Sequence, residues 1–430
     1  MSRPTASRFR VAAGVLLALL LPAANVAAAD GFLEPTDVIH RIDGDASSGF
    51  FGWAVSELQD VDADGVTDFI VGDPTRAGGG AVHAYSGASA SQLFSAVRPA
   101  PNVYGFAVAD AGDVDGDGTN DVIVGDPLGD PATGAGAAEL LSGTDGSLLH
   151  RFVGANPGES LGTAVASAGD LDGDGCSDVL VGAGGADTFL GADTGRVYVF
   201  SGACGGYGPI RFLDGLRAGE GFGTGLDRAG DLDADGVGDF VVGARSSPPK
   251  DRGRVYAVSA TDGSVLWDFA AAWSGEEFGR FFVAGLADLD GDGVRDVYAA
   301  DYADRARGLG TGRAWVLSGV DGSPIHGWHG YRNKEGFGPG REAGDVDGDG
   351  VQDLAIGQYT SSDGARQAGK LTLFSGRTGE ILRTVTSTTA GENLGFDAVG
   401  LGEVNGDGSP DILVSAATGR TVYVISGTAD

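Results

Sequence analysis

Apolar residues in this chain come in short bursts, with no helical stripe. VIVG from Val122, VLVG from Val179 and FVVG from Phe240 are continuous apolar runs. After a loop of variable length, each is followed by an alternating run: RVYVFSG from Arg196, RVYAVSA from Arg254, RAWVLSG from Arg313. A turn such as TDGS, Thr144 to Ser147, leads to a further run such as LLHRF from Leu148. A segment of small residues, such as TAVASAGD from Thr163, comes ahead of the apolar burst. Short apolar or alternating runs bounded by Gly, Asp and Ser predict strands joined by tight turns. No segment sustains a 3.6-residue period, so helices are expected to be almost absent.

This set of four strands recurs. Each unit opens on an aromatic residue or Leu followed by Gly: Phe51-Gly52, Tyr104-Gly105, Leu161-Gly162, Phe222-Gly223, Phe278-Gly279, Phe337-Gly338 and Leu394-Gly395. Between its first and second strands each unit carries an acidic nonapeptide, Asp-x-Asp-x-Asp-Gly-x-x-Asp. The copies start at Asp60, Asp113, Asp170, Asp231, Asp288 and Asp345, with an altered one, EVNGDGSPD, at Glu403; the steps are 53, 57, 61, 57, 57 and 58 residues. Four-stranded antiparallel units at this interval predict an all-β, seven-bladed β-propeller, since solenoids use shorter repeats. The last unit stops after its third strand, TVYVISGTAD. The missing strand is found near the start, where Asp37 to Ile42 matches Ser147 to Phe152 in type and place. The N-terminal strand is therefore expected to complete the seventh blade and leave no open edge.

Composition adds the compartment. Arg3, Arg8 and Arg10, an apolar stretch from Val11 to Leu21 and Ala27-Ala28-Ala29 make residues 1–29 a predicted signal peptide, with the propeller over 30–430. This reading implies a protein secreted, periplasmic or held at the cell surface, with no transmembrane anchor. The formal net charge is −32, and removing residues 1–29 takes away three Arg and no acid, leaving −35. A body this acidic argues against nucleic acid and anionic membranes as partners.

Much of that charge sits in the nonapeptides, which have the chemistry of a calcium site. Calcium takes six to eight hard oxygens, and alternating Asp residues in a tight loop can point inward together. The expected ligands in the first loop are the side chains of Asp60, Asp62, Asp64 and Asp68 and the carbonyl of Val66. In the second they are Asp113, Asp115, Asp117 and Asp121 with the Thr119 carbonyl; in the third, Asp170, Asp172, Asp174 and Asp178 with Cys176. The fourth offers Asp231, Asp233, Asp235 and Asp239 with Val237, and the fifth Asp288, Asp290, Asp292 and Asp296 with Val294. The sixth offers Asp345, Asp347, Asp349 and Asp353 with Val351. In the seventh, Glu403, Asn405, Asp407 and Asp411 with Ser409 carry one formal charge less, so weaker binding is expected there. Up to seven Ca²⁺ ions follow, one per blade. An EF-hand loop wants a carboxylate at position 12 and flanking helices, whereas here position 9 is acidic and strand-like runs flank it. A metal-free acidic turn is the other alternative. It is disfavoured because two carboxylates about 4 Å apart repel by roughly 4 kcal/mol at an effective dielectric of 20.

The Phe-Gly starts and the Gly72-Asp73-Pro74 and Gly125-Asp126-Pro127 triplets resemble FG-GAP repeats, the units of the integrin α-subunit β-propeller. The resemblance runs from about residue 32 to the end and implies seven blades with calcium in the acidic loops. Integrins carry such loops in only some blades, and their leg domains and membrane span have no counterpart here. The fold is thus the firmer implication, and adhesion the weaker one.

Cys176, in the third acidic loop, and Cys204, in the turn between the last two strands of the same unit, fall on one face and are expected to form a disulfide. His40, His150 and His326 share one fourth-strand position, and His83 lies on a third strand. They are read as structural, because no nucleophile elbow, phosphate loop or Ser-His-Asp order accompanies them. His326 and His329 are three apart on a strand and point to opposite faces. Antiparallel order puts the acidic loops and Ser-Gly turns on one face and the variable loops on the other. Trp273, Tyr302, Arg305, Arg307, Tyr331 and Tyr359 fall in those variable loops and are the candidate ligand face. The resulting expectation is a monomeric binding or adhesion module for an extracellular protein or glycan. The alternatives are a polysaccharide lyase or hydrolase on the same scaffold, and a structural envelope or matrix component.

Overall fold

The computed structural model describes residues 31–130, 132–247, 252–270 and 277–428. The predicted signal peptide and Trp273 lie outside them. All regular elements among the described residues are strands, arranged as seven four-stranded antiparallel sheets. In six of them four consecutive strands lie in sequence order. Blade three, for example, runs Leu161–Gly169, Asp178–Ala183, Arg196–Phe200, Pro209–Asp214. The seventh combines Ala398–Gly402, Asp411–Ala416 and Thr421–Ser426 with the N-terminal Val38–Asp43, which pairs antiparallel with Thr421–Ser426. The expected strand borrowing is present.

In six blades the second strand is buried along its whole length, as in Asp121–Asp126 and Asp178–Ala183, because it has a neighbouring blade on both sides; in blade four the longer Asp239–Ser247 runs out to an exposed Arg245. The outermost strands alternate, as in Gln92–Val97. That is why the second strands read as continuous apolar runs and the fourth as mixed ones. The core is accordingly divided among seven clusters, each drawing on two adjacent blades. Phe51, Tyr104, Phe278 and Phe337 from the repeat starts are at most 1% exposed. The glycine that follows them has no room for a side chain: a Cβ on Gly105 would lie 2.2 Å from the carbonyl oxygen of Ala81, at φ +88°.

The fourth strands latch one blade to the next. The position shared by His40, His150 and His326 reaches over the last turn of the neighbouring blade. His40 Nε2 donates to Gly87 O (2.9 Å), Trp267 Nε1 to Gly319 O (2.7 Å) and His326 Nε2 to Gly376 O (2.8 Å). Arg211 holds Ala260 O and Thr261 O, and Arg383 holds Ser426 O (2.6 Å) and Thr428 O (2.8 Å). His150 stacks on Tyr207, centroids 4.4 Å apart. The structural reading of these histidines agrees with what they touch. The N-terminal segment is held further by Phe32, 2% exposed and edge-on to Tyr423 at 5.5 Å, and by Glu34, which accepts from Thr386 N (2.7 Å).

Candidate metal loops and the opposite channel mouth

The seven acidic loops lie together on one face, each at the hairpin between a blade's first and second strands. Their conformation follows from the sequence. Position 4 adopts a left-handed φ in every copy: Ala63, Gly116, Gly173, Ala234, Gly291, Gly348 and Gly406, at +62° to +85°. Position 6, always Gly, lies at +86° to +95°. These two reversals curl the loop so that its N–H groups meet its own carboxylates. In the first loop Asp60 accepts from Asp64 N (3.0 Å) and Gly65 N (2.8 Å), Asp62 from Asp64 N (3.1 Å), and Asp64 from Val66 N (2.9 Å). The position 9 carboxylate is fully buried and ties the loop to its blade. Asp68 accepts from Val61 N (2.9 Å) and from Gly87 N in the last turn (3.0 Å), and Asp121 accepts likewise from Val114 N and Gly143 N.

These bonds bring the carboxylates together. One oxygen from each of Asp60, Asp62 and Asp68 lies within 4.8 Å of the other two, as do those of Asp113, Asp115 and Asp121, of Asp170, Asp172 and Asp178, and of Asp231, Asp233 and Asp239. Burial, with neighbouring acids adding to it, pushes Asp68, Asp178 and Asp296 up to about 6 and Asp121 up to about 7. A desolvated carboxylate beside other carboxylates lacks a counter-charge, which a hard divalent cation supplies. The donor set fits such an ion.

Two loops depart from the pattern. In the seventh, the Asn405 amide turns its N–H toward Asp407 Oδ2 (2.9 Å), and the longer Glu403 side chain accepts from Asn405 N (3.0 Å) and Gly406 N (2.5 Å). In the sixth, Arg377 of the last turn reaches back to Asp349, Nε to Oδ2 at 2.7 Å and Nη2 to the main-chain oxygen at 2.8 Å. The nonapeptide alone gave no sign of this resident guanidinium. Cys176 and Cys204 form the expected disulfide, 28 residues apart in sequence.

The opposite end of the central channel carries a closed circuit of seven rings. Centroid separations are 5.6 Å for Trp53–Phe106, 5.6 Å for Phe106–Phe281 and 6.3 Å for Phe281–Phe282. They are 6.1 Å for Phe282–Tyr302, 6.2 Å for Tyr302–Tyr359, 5.4 Å for Tyr359–Phe396 and 5.1 Å for Phe396–Trp53. Of the candidate ligand face, Tyr302 and Tyr359 are in this collar. Arg305 and Arg307 are exposed on the loop beside it, and Tyr331 is 81% exposed on another variable loop. Sequence reasoning missed Trp53, Phe106, Phe281, Phe282 and Phe396. For Trp53, Phe106 and Phe396 the available signal was an aromatic just after the repeat's opening pair, as in Phe51-Gly52-Trp53 and Leu394-Gly395-Phe396; Phe281 and Phe282 sit one and two residues further on in their repeat, after Arg280. Phe281 is held at φ +67° with its N–H on Thr224 O (3.1 Å), an unusual conformation for a bulky residue and one that aims its ring across the mouth.

Behind the collar lies a cavity of about 950 Å³ lined by Glu57, Asp110, Asp227, Arg228, Arg341 and Glu342, among others. Glu57 touches channel solvent yet is enclosed by protein, which pushes its pKa up, as it does that of Asp227. Nearby in blade five, Asp301 is fully buried; Oδ1 accepts from Ala303 N (3.0 Å) and Oδ2 has no partner. Burial, then Asp304, pushes Asp301 up to about 7. The folded state therefore binds this proton more tightly than the unfolded chain does. The cost of ionisation is absent below the unfolded value near 3.8, grows between, and is complete above about pH 7. Asp301→Asn is expected to leave the melting temperature unchanged near pH 4 and to stabilise by about 4 kcal/mol at pH 8. A pH-independent difference in thermal melts would contradict this.

The FG-GAP repeat family matches residues 161–200 and 342–374, within blades three and six. Among curated proteins the chain is 32% identical over 211 residues to integrin alpha-5 of Xenopus laevis, covering 46% of this chain and 20% of that protein. It is 31% identical over 211 residues to integrin alpha-V of Gallus gallus, covering 45% and 20%. The chain thus spans about a fifth of the length of these relatives. Among solved structures, the Dos1 propeller superposes with a TM-score of 0.53 at 13% identity, covering 93% of this chain and 97% of that one. Saccharomyces cerevisiae Sqt1 does so with 0.53 at 11%, covering 91% and 99%. Likeness at this identity concerns the fold alone. Among the described residues no helix is long and apolar enough to cross a membrane. This chain carries FG-GAP repeats and folds as a seven-bladed β-propeller that is similar, over a little under half of its length, to integrin α subunits.

Proposed function

We propose that the protein is an exported calcium-binding propeller that acts as a non-enzymatic binding or adhesion module for an extracellular protein or glycan. The observation that carries the binding role is the aromatic collar around a charged channel. Half-buried aromatic rings on a rigid ring of blades offer contact area at low ordering cost, and the carboxylates behind them add polar specificity. Tyr302 and Tyr359 belong to that surface, with Trp53, Phe106, Phe281, Phe282 and Phe396. Export rests on the leader at residues 1–29. Calcium in the acidic loops would supply the missing positive charge and brace each hairpin, at affinities near the extracellular range of about 10⁻⁴–10⁻³ M. Asp60, Asp62, Asp64 and Asp68, with the Val66 carbonyl, would hold the first ion, and the equivalent residues the others.

The test is a combined glycan and extracellular-protein array probed with the wild type and with a Trp53→Ala/Tyr359→Ala variant. Binding that falls at least about ten-fold in the variant is expected, since central aromatic anchors dominate interfaces. Equal binding by both would overturn the collar as the recognition surface. Turnover of any bound polysaccharide would instead favour the lyase or hydrolase reading.

The sixth loop gives a separate expectation. A guanidinium on Asp349 must be displaced or repelled by an arriving cation, so this loop should join the seventh as a weak site. Arg377→Ala is expected to raise the number of ions bound at about 0.1 mM calcium by one, counted by native mass spectrometry. An unchanged count would show that Arg377 does not compete.

A further inference from the structure

The disulfide lies in blade three, yet it faces the metal loop of blade two. A Cβ on Gly116, position 4 of the second loop, would stand 3.5 Å from Cys176 Sγ and 3.9 Å from Cys204 Sγ. The residues next to the half-cystines complete the contact. Ser177 N, just after Cys176, donates to Asp113 O at 2.8 Å, and Ala203 N, just before Cys204, donates to Val114 O at 2.7 Å. The acceptors are the first two carbonyls of the second loop. Among the described residues no other acidic loop receives backbone hydrogen bonds from a neighbouring blade. Blade three also ties the two donor segments together internally, since Gly202 N donates to Asp178 Oδ1 at 3.0 Å.

We propose that the Cys176–Cys204 cystine is a positioning element for the second metal loop, acting across the blade boundary. The bridge holds Ser177 and Ala203 at a fixed separation, so both can clamp consecutive peptides at the loop's start. Asp113 supplies the first ligand of that loop, and fixing its main chain fixes where its carboxylate stands. A loop ordered before the ion arrives loses less conformational freedom on binding, so its affinity rises without any added ligand. Without the bridge, the last turn and the third loop are joined only by non-covalent contacts, and the two donors can separate. The third loop contains Cys176 itself and is expected to weaken in any account. The diagnostic site is the second loop, which contains no cysteine.

This inference rests on the calcium reading above, and the experiment separates the two. Calcium bound per chain is counted by native mass spectrometry over a calcium titration. The proteins compared are the wild type, Cys176→Ala/Cys204→Ala, Asp115→Asn in the second loop, Asp233→Asn in the fourth, and each Asp variant combined with the cysteine pair. In the wild type, either Asp substitution is expected to remove one ion. In the cystine-free background, the second loop is expected to bind about ten-fold more weakly. At intermediate calcium Asp115→Asn then removes nothing further, while Asp233→Asn still removes one. Wild type reduced with a dithiol, which leaves two thiols in place of the bridge, should behave as the cysteine variant does and guards against a folding defect. Equal losses from Asp115→Asn with and without the bridge would overturn the proposal. Absence of bound calcium from the wild type would overturn the calcium reading, and the proposal with it.

Discussion

Stripping divalent ions with excess chelator is expected to lower the melting temperature by about 15 °C or more relative to protein in 10 mM calcium. At a dissociation constant of about 10⁻⁴–10⁻³ M, each occupied site contributes roughly 1.4–2.7 kcal/mol at that concentration. Several sites together therefore rival a typical stability of about 5–15 kcal/mol. The structure explains why the effect should be global. Each position 9 carboxylate is fully buried and bonded into its own hairpin, and in six blades it is also bonded into the last turn, as Asp68 is to Gly87 N and Asp353 to Gly376 N. In the absence of an ion, the ionised forms of these acids repel their neighbours from within the blade. A melt insensitive to chelator would mean that the loops are braced by their own hydrogen bonds alone.

Arg341 is the second place where a single change should have a large effect. Its Nη2 lies 2.9 and 3.0 Å from the two carboxylate oxygens of Asp397 and 3.3 Å from Val55 O. Asp397 also accepts from Val55 N (3.1 Å) and Ala398 N (2.9 Å). One ion pair thus joins blades six, seven and one, on either side of the strand that closes the ring. The Asp397 side chain is only 6% exposed. Arg341→Met would leave it, with Glu57 and Asp227 nearby, without a counter-charge. Removing one partner of a buried pair typically costs about 3–5 kcal/mol. Denaturant unfolding should report a loss in that range, and Arg341→Met/Asp397→Asn should recover a large part of it. A loss below about 1 kcal/mol would mean that the channel solvent already screens the pair.

The ring was legible because its determinants are local and repeated. Apolar bursts, turn residues and the nonapeptide recur at one interval, and the surplus strand near the N-terminus matches the gap at the C-terminus. The acidic loops were legible for the same reason, since their donors sit within nine residues of one another. What depends on distant pairing was not legible. Arg377 lies 28 residues from Asp349, and nothing in either segment announces the contact. Arg341 reads as one of two adjacent charged residues in a glycine-rich strand, yet its partner is 56 residues away. The aromatic collar gathers rings from five blades, and each alone looks like ordinary core or loop. Tyr302 and Tyr359 were picked out as loop aromatics, but the other five rings become a set only once the blades are closed. The disulfide was inferred from hairpin geometry, but not its contact with the blade beside it.

Crystals grown in calcium and measured at a wavelength where calcium scatters anomalously give the most direct test of the acidic loops as cation sites. The account predicts an anomalous peak among the carboxylates of each of the first five loops, weaker peaks in the sixth and seventh, and oxygen ligands at roughly 2.3–2.6 Å. An intact seven-bladed ring with no anomalous density in any loop would contradict it.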